Sequence, residues 1–407
     1  MVLGYLLSRY PQISETFILR EMTEMQRLGH QLVIAPLQAA TAPICHPATA
    51  ELEGAVAFEP WLSGVQLRCH LRQCRAHPRA YLGQMAGLIG SHAAEANALA
   101  GAVLFWPKIG AIAARFRAAG VQHIHAHFAT HPALAAWAIH AWTGIPFSFT
   151  AHAHDIFAHR AGLAPKARAA AFIVAISQFN RSWLLGHVAG LAPARVVVIP
   201  CGIRPADYDQ PRAPASDGRL RLLTVASLQP YKGHDVLLRA LALLRGRLDF
   251  TCRLVGDGPL RARLSRQIVQ LGLTGLVLLA GAAREAEVAR ELSRADAFVL
   301  ASARERSGKM EGLPVALMEA MAARLPVVAT DLAGISELVA SGRNGLLVPP
   351  GDAPALAAAV ARLAAAPLRA AWGEAGRQRV IREYSLAVSA RRLAAQFAAA
   401  QPQATAA

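Results

Sequence analysis

Acidic side chains are scarce in this chain, and their scarcity narrows the choice of binding partners. The sequence has 26 Asp and Glu residues against 42 Lys and Arg, which gives a formal net charge of +16. Such an excess of positive charge favours an anionic partner. The basic residues are mostly arginines scattered over segments of helical pattern, without a recognisable nucleic-acid-binding motif, so we expect no nucleic acid partner.

Paired cysteines and long apolar runs are also lacking. The five cysteines, Cys69 and Cys74 among them, show no spacing typical of a zinc site, so we expect reduced thiols. The longest apolar stretches are interrupted by His140, Gly144 and Pro146, short of the about 18 residues that a membrane span needs. The first residues have the pattern of a strand and not of a signal peptide, which predicts a cytoplasmic protein.

The order of apolar and helical segments predicts the fold class. Hydrophobic residues make up 54% of the chain and charged residues 17%, which is typical of a well-buried globular protein. Short apolar strands alternate with helices over residues 1–205, stop in the proline-containing segment 206–218 and restart over 219–385. We therefore expect an α/β protein of two doubly wound, Rossmann-like domains that face a cleft, with ligands beyond the carboxyl ends of the strands.

Residues 61–120 are rich in basic side chains, and Glu95 is the one acidic residue among them. Arginines recur there at helical spacing beside leucines: Arg68, Arg72, Arg75 and Arg79. Two interpretations are open. A basic amphipathic helix lies on an anionic membrane surface, whereas an ordinary surface helix turns a solvated arginine face to water.

Two glutamates separated by seven residues flank the predicted start of a helix. Pro314 suits the first helical turn, and the backbone N–H groups at such a helix start favour a phosphate. Glu319, one and a half turns into the helix, is placed to accept hydrogen bonds from two hydroxyls, as of a ribose. Glu311, just before the helix, faces whatever extends from the phosphate. The spacing alone also fits a solvated helix face, but the apolar surroundings favour a site because an unpaired carboxylate is costly there.

Three further segments lie at predicted strand ends. Lys232 follows the first strand of the second domain, and Gly256 and Gly258 follow the next one, where a backbone either turns sharply or passes close to a ligand. In the first domain, residues 123–127 carry a histidine at every second position. Alternating histidines share one strand face, which is compatible with a metal site and with hydrogen-bonded core histidines; we expect no metal.

The run from Glu311 to Glu319 resembles the glutamate-pair signature of retaining glycosyltransferases of family 4, which have the GT-B fold. Residues 8–17, with their Tyr-Pro and Ser-Glu-Thr-Phe pattern, resemble the branch of that family that builds colanic-acid-type and other exopolysaccharides. The resemblance is strong over 220–350 and absent over 38–118.

The resemblance implies roles for particular residues. His152, Lys232 and Glu311 would be catalytic, with Lys232 on the diphosphate and His152 on the donor sugar. The family usually has Arg where Ser227 stands, so we expect Arg304 or Arg306 to supply the second positive charge. The expected donor-binding residues are Ser227, Gly256, Gly258, Arg304, Arg306, Gly312, Leu313, Pro314, Val315 and Glu319.

On the acceptor side, the resemblance implies Ser14, Glu15 and Thr16 after the first strand, and Asp155 as an orienting partner of His152. Ser14 or Thr16 also fits the N-cap of the following helix. The family further implies that the tail 386–407 crosses back to the acceptor-binding first domain, while 219–385 binds the nucleotide sugar.

The activity implied is retaining, metal-independent transfer of a sugar from a nucleotide-sugar donor, without a cofactor. The implied acceptor is a glycan or a lipid-diphosphate-linked oligosaccharide of exopolysaccharide or cell-surface polysaccharide synthesis. This places the protein in the cytoplasm, with peripheral contact to the inner, anionic face of the membrane. Two alternatives stay open: a sugar-nucleotide epimerase of the same fold, and a non-catalytic anion-binding scaffold.

Overall fold

The chain forms two compact units in the computed structural model, which describes residues 1–12, 15–40, 49–61, 63–93, 95–158, 160–211 and 218–401. Unit 1 comprises Met1–Pro200 with Ser389–Ala407, and unit 2 comprises Cys201–Val388. Residues 201–205, which the sequence pattern places in the first domain, fold with unit 2. The reason is a backbone bridge in which the N–H of Leu386 donates to the carbonyl of Ile203 at 2.7 Å.

Unit 1 is built on a parallel sheet of six strands within the described residues, in the spatial order 2-1-3-4-5-6. The strands are β1 (Val2–Tyr10), β2 (Gln31–Ala39), β3 (His123–His127), β4 (Phe147–Ala151), β5 (Phe172–Ala175) and β6 (Val196–Val198). The helices of this part are α1 (Thr16–Arg27), α2 (Thr49–Leu52), α3 (Gly64–Ala76), α4 (Pro78–His92), α5 (Ala96–Ala118), α6 (His131–Thr143), α7 (His154–Phe157), α8 (Leu163–Ala169) and α9 (Gln178–His187).

Unit 2 has a second parallel sheet, also of six strands in the described part, in the order 12-11-10-7-8-9. The strands are β7 (Leu220–Val225), β8 (Phe250–Val255), β9 (Val277–Gly281), β10 (Ala297–Leu300), β11 (Val327–Thr330) and β12 (Gly345–Val348). The helices are α10 (His234–Leu244), α11 (Arg261–Gln270), α12 (Glu285–Arg294), α13 (Val315–Ala322), α14 (Ile335–Leu338), α15 (Ala353–Arg362) and α16 (Ala366–Glu383).

The last helix, α17 (Leu386–Ala399), contributes apolar side chains to the core of unit 1. Leu393 and Phe397 are fully buried there. The Phe397 ring lies 5.0 Å from the ring of His123 and 5.9 Å from that of Phe172, between centroids. This packing ties the end of the described chain to the sheet of unit 1.

Helix α5 is long and apolar enough to cross a membrane by length and composition, which corrects the expectation that no segment meets this test. Half of its most apolar window is nevertheless buried within the protein. Ile109, Ile112 and Phe116 lie in the core of unit 1. This burial is the pattern of a core helix of a folded domain.

Both sheets reverse their strand order at one point, and these points decide where ligands bind. In unit 1 the reversal lies between β1 and β3, and in unit 2 it lies between β7 and β10. Loops that follow two such strands leave the sheet in opposite directions, so that a crevice opens between them at the carboxyl edge. The residues singled out in the sequence lie mostly in these loops.

Candidate active site

The loops that follow β7 and β10 are held together by hydrogen bonds, and they form what we call the unit 2 site (residues 226–233 and 301–319). The backbone N–H of Ala303 donates to the carbonyl of Tyr231 at 2.8 Å. The backbone N–H of Tyr231 in turn donates to the Glu305 carboxylate at 3.2 Å. These bonds fix the two loops at the reversal point of the sheet.

Lys232 and Glu311 form an ion pair at the centre of the unit 2 site. The Lys232 ammonium donates to Glu311 Oε2, and the two side chains are 14% and 13% exposed. The Ser302 hydroxyl lies 3.4 Å from the same carboxylate oxygen. Burial is the largest single influence and would lower the pKa of Lys232, but the charge of Glu311, that of Tyr231 and the hydrogen bond to Glu311 together raise this pKa above its usual value. The structure thus brings two of the predicted catalytic residues into contact, with the lysine charged.

Glu319 lies on the second turn of α13, and a tyrosine from outside the predicted motifs holds its carboxylate. The Tyr208 hydroxyl donates to Glu319 Oε1 at 2.7 Å, and the Tyr208 side chain is buried. Tyr208 ends a short 3-10 helix, Pro205–Tyr208, inside the segment that the sequence pattern assigns to a linker. The sequence carries no signal for this contact because it joins residues more than a hundred positions apart.

The start of α13 is enclosed by neighbouring backbone. Gly312, Leu313 and Pro314 are buried, and Pro314 is the N-cap residue, so the helix begins at Val315. The carbonyl of Gly312 accepts a hydrogen bond from the N–H of Gly334 at 3.1 Å. The positive end of the α13 dipole thus lies four residues after Glu311 in sequence, and its contact with a phosphate stays a prediction.

Gly256 and Gly258 follow β8 and pack against the loop after β7. Both have positive φ angles, of 144° and 159°. A Cβ atom on Gly256 would lie 2.0 Å from the carbonyl oxygen of Ala226, and one on Gly258 would lie 2.8 Å from that of Leu228. Contact between the two loops is sufficient to require glycine at both positions. Their contact with a nucleotide stays a prediction.

The structure adds Lys309 to the candidates for the second positive charge of the unit 2 site. Ser227 is exposed, and Arg304 and Arg306 are exposed in the loop before α13. Lys309, which the sequence analysis did not single out, lies 4.8 Å above the Tyr231 ring, and Lys232 lies 5.0 Å from the same ring. The ammonium groups of Lys232 and Lys309 thus both lie close to the ring of Tyr231 at the unit 2 site.

One Asp-x-Asp triplet, 207–209, has the spacing of a metal-binding motif. In the structure the Asp209 carboxylate accepts hydrogen bonds from Arg324 and from Arg377, the latter at 2.7 Å. The Arg324 guanidinium is the main cause that lowers the pKa of Asp209. The Asp209 carboxylate thus belongs to an ion-pair network that links the end of the 3-10 helix Pro205–Tyr208 to α16.

The alternating histidines of β3 lie on one face of the sheet, as predicted, and the first two of them bond to the hydroxyls of β4. Ser148 Oγ lies 2.8 Å from His123 Nε2 and 2.8 Å from His125 Nδ1, and Thr150 Oγ1 lies 2.9 Å from His125 Nε2. Burial lowers the pKa of His123 to about 3 and that of His125 well below its usual value. These two rings are neutral members of the core.

His127, at the carboxyl end of β3, connects Glu21 of α1 to His152 after β4. His127 Nε2 lies 3.1 Å from Glu21 Oε1, and His127 Nδ1 lies 3.4 Å from His152 Nε2. Because a carboxylate only accepts hydrogen bonds, His127 Nε2 carries the proton that points at Glu21, and its Nδ1 atom faces His152 Nε2. We call Glu21, His127 and His152 the unit 1 relay.

The carboxylate of Glu21 and the rings of His125 and His127 also satisfy the distances of a metal site. One ligand atom from each lies within 4.8 Å of the others. Hydrogen bonds account for the same atoms, because His125 Nε2 bonds Thr150 and His127 Nε2 bonds Glu21. Both interpretations of the alternating histidines therefore find a structural counterpart, and the hydrogen-bonded one uses every ring nitrogen named.

The sequence analysis predicts that Asp155 orients the ring of His152. In the structure, Asp155 instead bonds to backbone N–H groups. Its Oδ2 atom accepts hydrogen bonds from the backbone N–H of His152 at 3.1 Å and of Ala129 at 2.8 Å. The Asn180 side chain donates to the carbonyl of His152. Backbone bonds on both sides of His152 fix its position after β4.

The residues predicted on the acceptor side follow β1. Ser14 lies outside the described residues, whereas Glu15 occupies the N-cap position of α1 and Thr16 is the first helical residue, so Thr16 is not the cap. Burial raises the pKa of Glu15 to about 7, against the opposing charges of His127 and Arg9. Glu15 therefore carries a carboxyl group that titrates near neutral pH.

Two family models match consecutive parts of this chain. The model described as Glycosyltransferase Family 4 matches residues 14–207, and the model described as Glycosyl transferases group 1 matches residues 208–379. The boundary between them falls beside Tyr208, close to the division of the chain into units.

Curated relatives extend the match. WcaL of Salmonella typhimurium, a glycosyltransferase named for colanic acid biosynthesis, is 30% identical over 385 residues, 89% of this chain and 90% of the relative. AmsK of Erwinia amylovora, an amylovoran biosynthesis glycosyltransferase, is 39% identical over 188 residues, 45% of this chain and 46% of the relative. The match to AmsK thus spans less than half of either protein.

The solved structure of Anabaena HepE in complex with UDP-glucose shares the fold. It superposes with a TM-score of 0.72 at 18% identity, over 98% of this chain and 100% of that one. The family models, the relative of nearly equal length and the two doubly wound sheets show that this chain belongs to family 4 of the glycosyltransferases, with the GT-B fold, and that it is similar to the members that build colanic-acid-type exopolysaccharides.

Proposed function

We propose that the protein transfers a sugar from a nucleotide-sugar donor to a hydroxyl of a glycan or lipid-diphosphate-linked acceptor, with retention of anomeric configuration and without a metal. The ion pair of Lys232 with Glu311, at the reversal point of the unit 2 sheet, carries this proposal. A charged ammonium suits a diphosphate and a neighbouring carboxylate suits a donor sugar, and both lie where a doubly wound sheet binds its ligand.

The unit 2 site binds the donor in this account. Lys232 and the start of α13 hold the diphosphate, and Glu319 accepts hydrogen bonds from the ribose. Tyr208 keeps the Glu319 carboxylate in position. Lys309, together with Arg304 or Arg306, replaces the charge that the family usually places at Ser227, because all three lie in the loop that carries Glu311.

The chemical step is a displacement on one face of the sugar. The acceptor oxygen forms a bond to the anomeric carbon while the bond from that carbon to the phosphate oxygen breaks. The acceptor proton passes to the departing phosphate oxygen. Lys232 stabilises the negative charge of the leaving diphosphate, and Glu311 offsets the positive charge that develops on the sugar.

Unit 1 contributes hydrogen-bonding groups from the loops at its own reversal point. His152, held by His127 and by backbone contacts on both sides, bonds a hydroxyl of the donor sugar. Glu15 and Thr16 lie on the acceptor side, with Asp155 fixing the loop after β4. Hydroxyl groups carry no charge, so a neutral, positioned imidazole suits them better than an ammonium.

The experiment that tests this function is product analysis with UDP-, GDP- and ADP-sugars, with and without a chelator. We expect slow hydrolysis of one donor without an acceptor, transfer with an acceptor glycan, and an unchanged anomeric configuration by NMR. Both reactions should survive the chelator and be lost in Lys232→Ala. Inverted product, or activity that requires a divalent cation, would contradict the mechanism.

The non-catalytic, anion-binding alternative stays open because Ser227 stands where the family usually has an arginine. The loss of that arginine is expected of a site that no longer catalyses the reaction. Nucleotide binding without turnover of any donor would favour it. An epimerase is distinguished by the same analysis, because it changes the donor sugar in the absence of an acceptor.

A further inference from the structure

Unit 1 contains an open cavity of about 420 Å³ at the carboxyl edge of its sheet, lined by residues that the proposed mechanism does not use. Part of the lining is the start of α6 after β3, with Thr130 and His131. The rest comes from the end of α4, the start of α5 and Ala161. The volume lies within the range of about 300–1,000 Å³ that is usual for small-molecule sites.

His92, the last residue of α4, offers the cavity a hydrogen-bond acceptor. It is 3% exposed, and its Nδ1 atom lies 2.9 Å from the Leu88 carbonyl oxygen and 3.0 Å from Ser91 Oγ. Burial and then the charge of Lys166 lower the pKa of His92, so its ring is neutral at neutral pH. Because a carbonyl only accepts hydrogen bonds, the single proton is on Nδ1 and Nε2 carries a lone pair. Among the described residues, His92 Nε2 has no hydrogen-bond partner.

Two glycines hold the imidazole rings of the cavity in place. A Cβ atom on Gly162 would lie 2.4 Å from His92 Cε1, and one on Gly101 would lie 2.4 Å from His131 Nε2. Both rings therefore pack directly against the backbone of a neighbouring segment. A ligand meets side chains that are already ordered, which reduces the entropy lost on binding.

The lining carries a negative charge. Glu95, at the N-cap position of α5, lines the cavity, and its Oε1 atom accepts a hydrogen bond from the backbone N–H of Arg160 at 3.1 Å. The described residues that line the cavity include no lysine or arginine side chain. The cavity thus presents acceptors to its ligand, in a protein whose net charge is +16.

The nearest buried cation, Lys166, is used by the backbone. Its ammonium donates to the carbonyls of Ala129 at 2.6 Å, Thr130 at 3.4 Å and Ala161 at 3.2 Å. These carbonyls use all three of its donors, and the side chain is 1% exposed. Lys166 therefore shapes the wall of the cavity without offering a positive charge to a ligand.

The cavity adjoins the loop that carries His152. Ala129, which precedes Thr130, donates its backbone N–H to Asp155 Oδ2 at 2.8 Å. The same oxygen accepts a hydrogen bond from the backbone N–H of His152 at 3.1 Å. One carboxylate oxygen thus fixes the backbone beside the cavity and the backbone of the histidine assigned to the donor sugar.

We propose that this cavity binds an uncharged hexose unit of the acceptor glycan and excludes an acidic sugar from that position. Sugar hydroxyls donate to His92 Nε2 and to Glu95, and Ala96, Ala98 and Ala161 provide apolar surface for the C–H groups of the ring. Glu95 repels a carboxylate on the ligand, and the described lining supplies no cation to compensate. The proposal rests on the proposed function, which makes the ligand of unit 1 a glycan.

Saturation-transfer NMR with the full chain, in the absence of a donor, tests the binding. The probes are the methyl glycosides of glucose, galactose, mannose, glucuronic acid and glucosamine. We expect saturation transfer to at least one neutral hexoside and none to the glucuronide. Absence of binding by every neutral probe, or preference for the glucuronide or the glucosaminide, would overturn the proposal.

His92→Phe locates the neutral sugar. It keeps an aromatic ring and removes the acceptor nitrogen, so the affinity for the neutral hexoside should fall about tenfold. His187→Phe is the matched control, because His187 Nδ1 also bonds the carbonyl four residues earlier, that of Trp183, at 2.8 Å, at an exposed site on α9. Equal affinities of the two variants would remove the sugar from this cavity.

Glu95→Gln tests the exclusion of acidic sugars independently of the buried histidine. The substitution keeps the size of the side chain and an oxygen for the Arg160 N–H, but it removes the charge. The glucuronide should therefore gain saturation transfer, while the neutral hexoside keeps its affinity within about threefold. Glu51→Gln, an exposed carboxylate on α2, should leave the glucuronide excluded. Continued exclusion by Glu95→Gln would contradict the role of Glu95.

Failure of this proposal can be told apart from failure of the proposed function. Turnover of a donor by the wild type, with no neutral hexoside bound, would leave the transferase standing and overturn the cavity assignment. Binding of a neutral hexoside that His92→Phe weakens, with no donor turned over, would leave the sugar site standing and overturn the transferase.

Discussion

The two reversal points of this protein use the same topology with opposite electrostatics. In unit 2, the loops after β7 and β10 bring the charged Lys232 into contact with the Glu311 carboxylate. Lys232 and Lys309 also both lie beside the ring of Tyr231. In unit 1, strand β3 carries a row of histidines beside the reversal point, and burial keeps the two innermost of them neutral. The unit 2 point carries a charged lysine, whereas the strand beside the unit 1 point buries two neutral imidazoles.

In the proposed reaction, this difference gives the two halves of a repeated fold different parts. A doubly wound sheet supplies a crevice at its reversal point whatever the side chains are. Charged side chains at this crevice suit a diphosphate, whose departure creates negative charge. Neutral imidazoles suit hydroxyl groups, whose positions must be fixed without adding charge. The residues at the crevice, and not the sheet, assign each unit its part.

The largest effect is expected when the charge of Lys232 is removed from the unit 2 site. Lys232→Ala should lower turnover by about 100-fold or more, because the leaving diphosphate loses its main counter-charge. Steady-state kinetics with the active donor measures this, and Arg263→Ala, on the exposed face of α11, serves as control. Near-normal turnover in Lys232→Ala would mean that charge at this point is structural.

The unit 1 relay allows a test of the neutral half. His127→Phe keeps the ring but removes both hydrogen bonds, so turnover should fall about tenfold as His152 loses its orientation. Nucleotide binding should stay unchanged because the substitution lies in unit 1. His123→Phe, in the same row but bonded to Ser148, is the control and should leave turnover largely intact. Equal effects of both substitutions would assign the row a purely structural role.

The contact of Tyr208 with Glu319 sharpens the comparison within unit 2. Tyr208→Phe should weaken nucleotide binding about fivefold, since a hydrogen bond to a charged group is lost while the ring remains packed. Calorimetry measures the affinity. Tyr384→Phe removes a hydroxyl that donates to the Glu337 carbonyl in the same unit, and it should leave the affinity unchanged.

The smallest expected effect concerns the titration of Glu15 in unit 1. Its pKa in the folded protein is raised from 4.5 to about 7, so the folded state holds a proton that the unfolded state loses. The contribution of Glu15 to stability is therefore present below pH 4.5 and lost as the pH rises to 7. Glu15→Gln should gain thermal stability over the wild type across this window. Glu51→Gln, at an exposed position, should show no such trend.

Several elements were predictable because their signal is local. The strand His123–His127 coincides with the alternating histidine run, and the strands Leu220–Val225 and Phe250–Val255 precede Lys232 and Gly256 as predicted, since each is a short apolar or alternating run. The meeting of Lys232 with Glu311 was implied by the family motif and by the rule that ligands bind at strand ends.

What could not be predicted depends on contacts between distant parts of the chain. Tyr208 lies in a segment of linker composition, and its role follows only from the fold that brings it to Glu319. Lys309 becomes a candidate for the second positive charge only because the fold places it beside the Tyr231 ring. The apolar length of α5 was not predicted because Asn97 and Lys108 interrupt its apolar run.

The measurement that tests the central claim most directly is calorimetric binding of UDP, GDP and ADP, with and without magnesium, to the wild type and to Glu319→Ala. Asp249→Ala, an exposed carboxylate just before β8 at the opposite edge of the sheet, is the matched control. We predict metal-independent binding of one nucleotide that is lost in Glu319→Ala and kept in Asp249→Ala. Binding of no nucleotide, or equal affinity in both variants, would contradict the assignment of the unit 2 site to the donor.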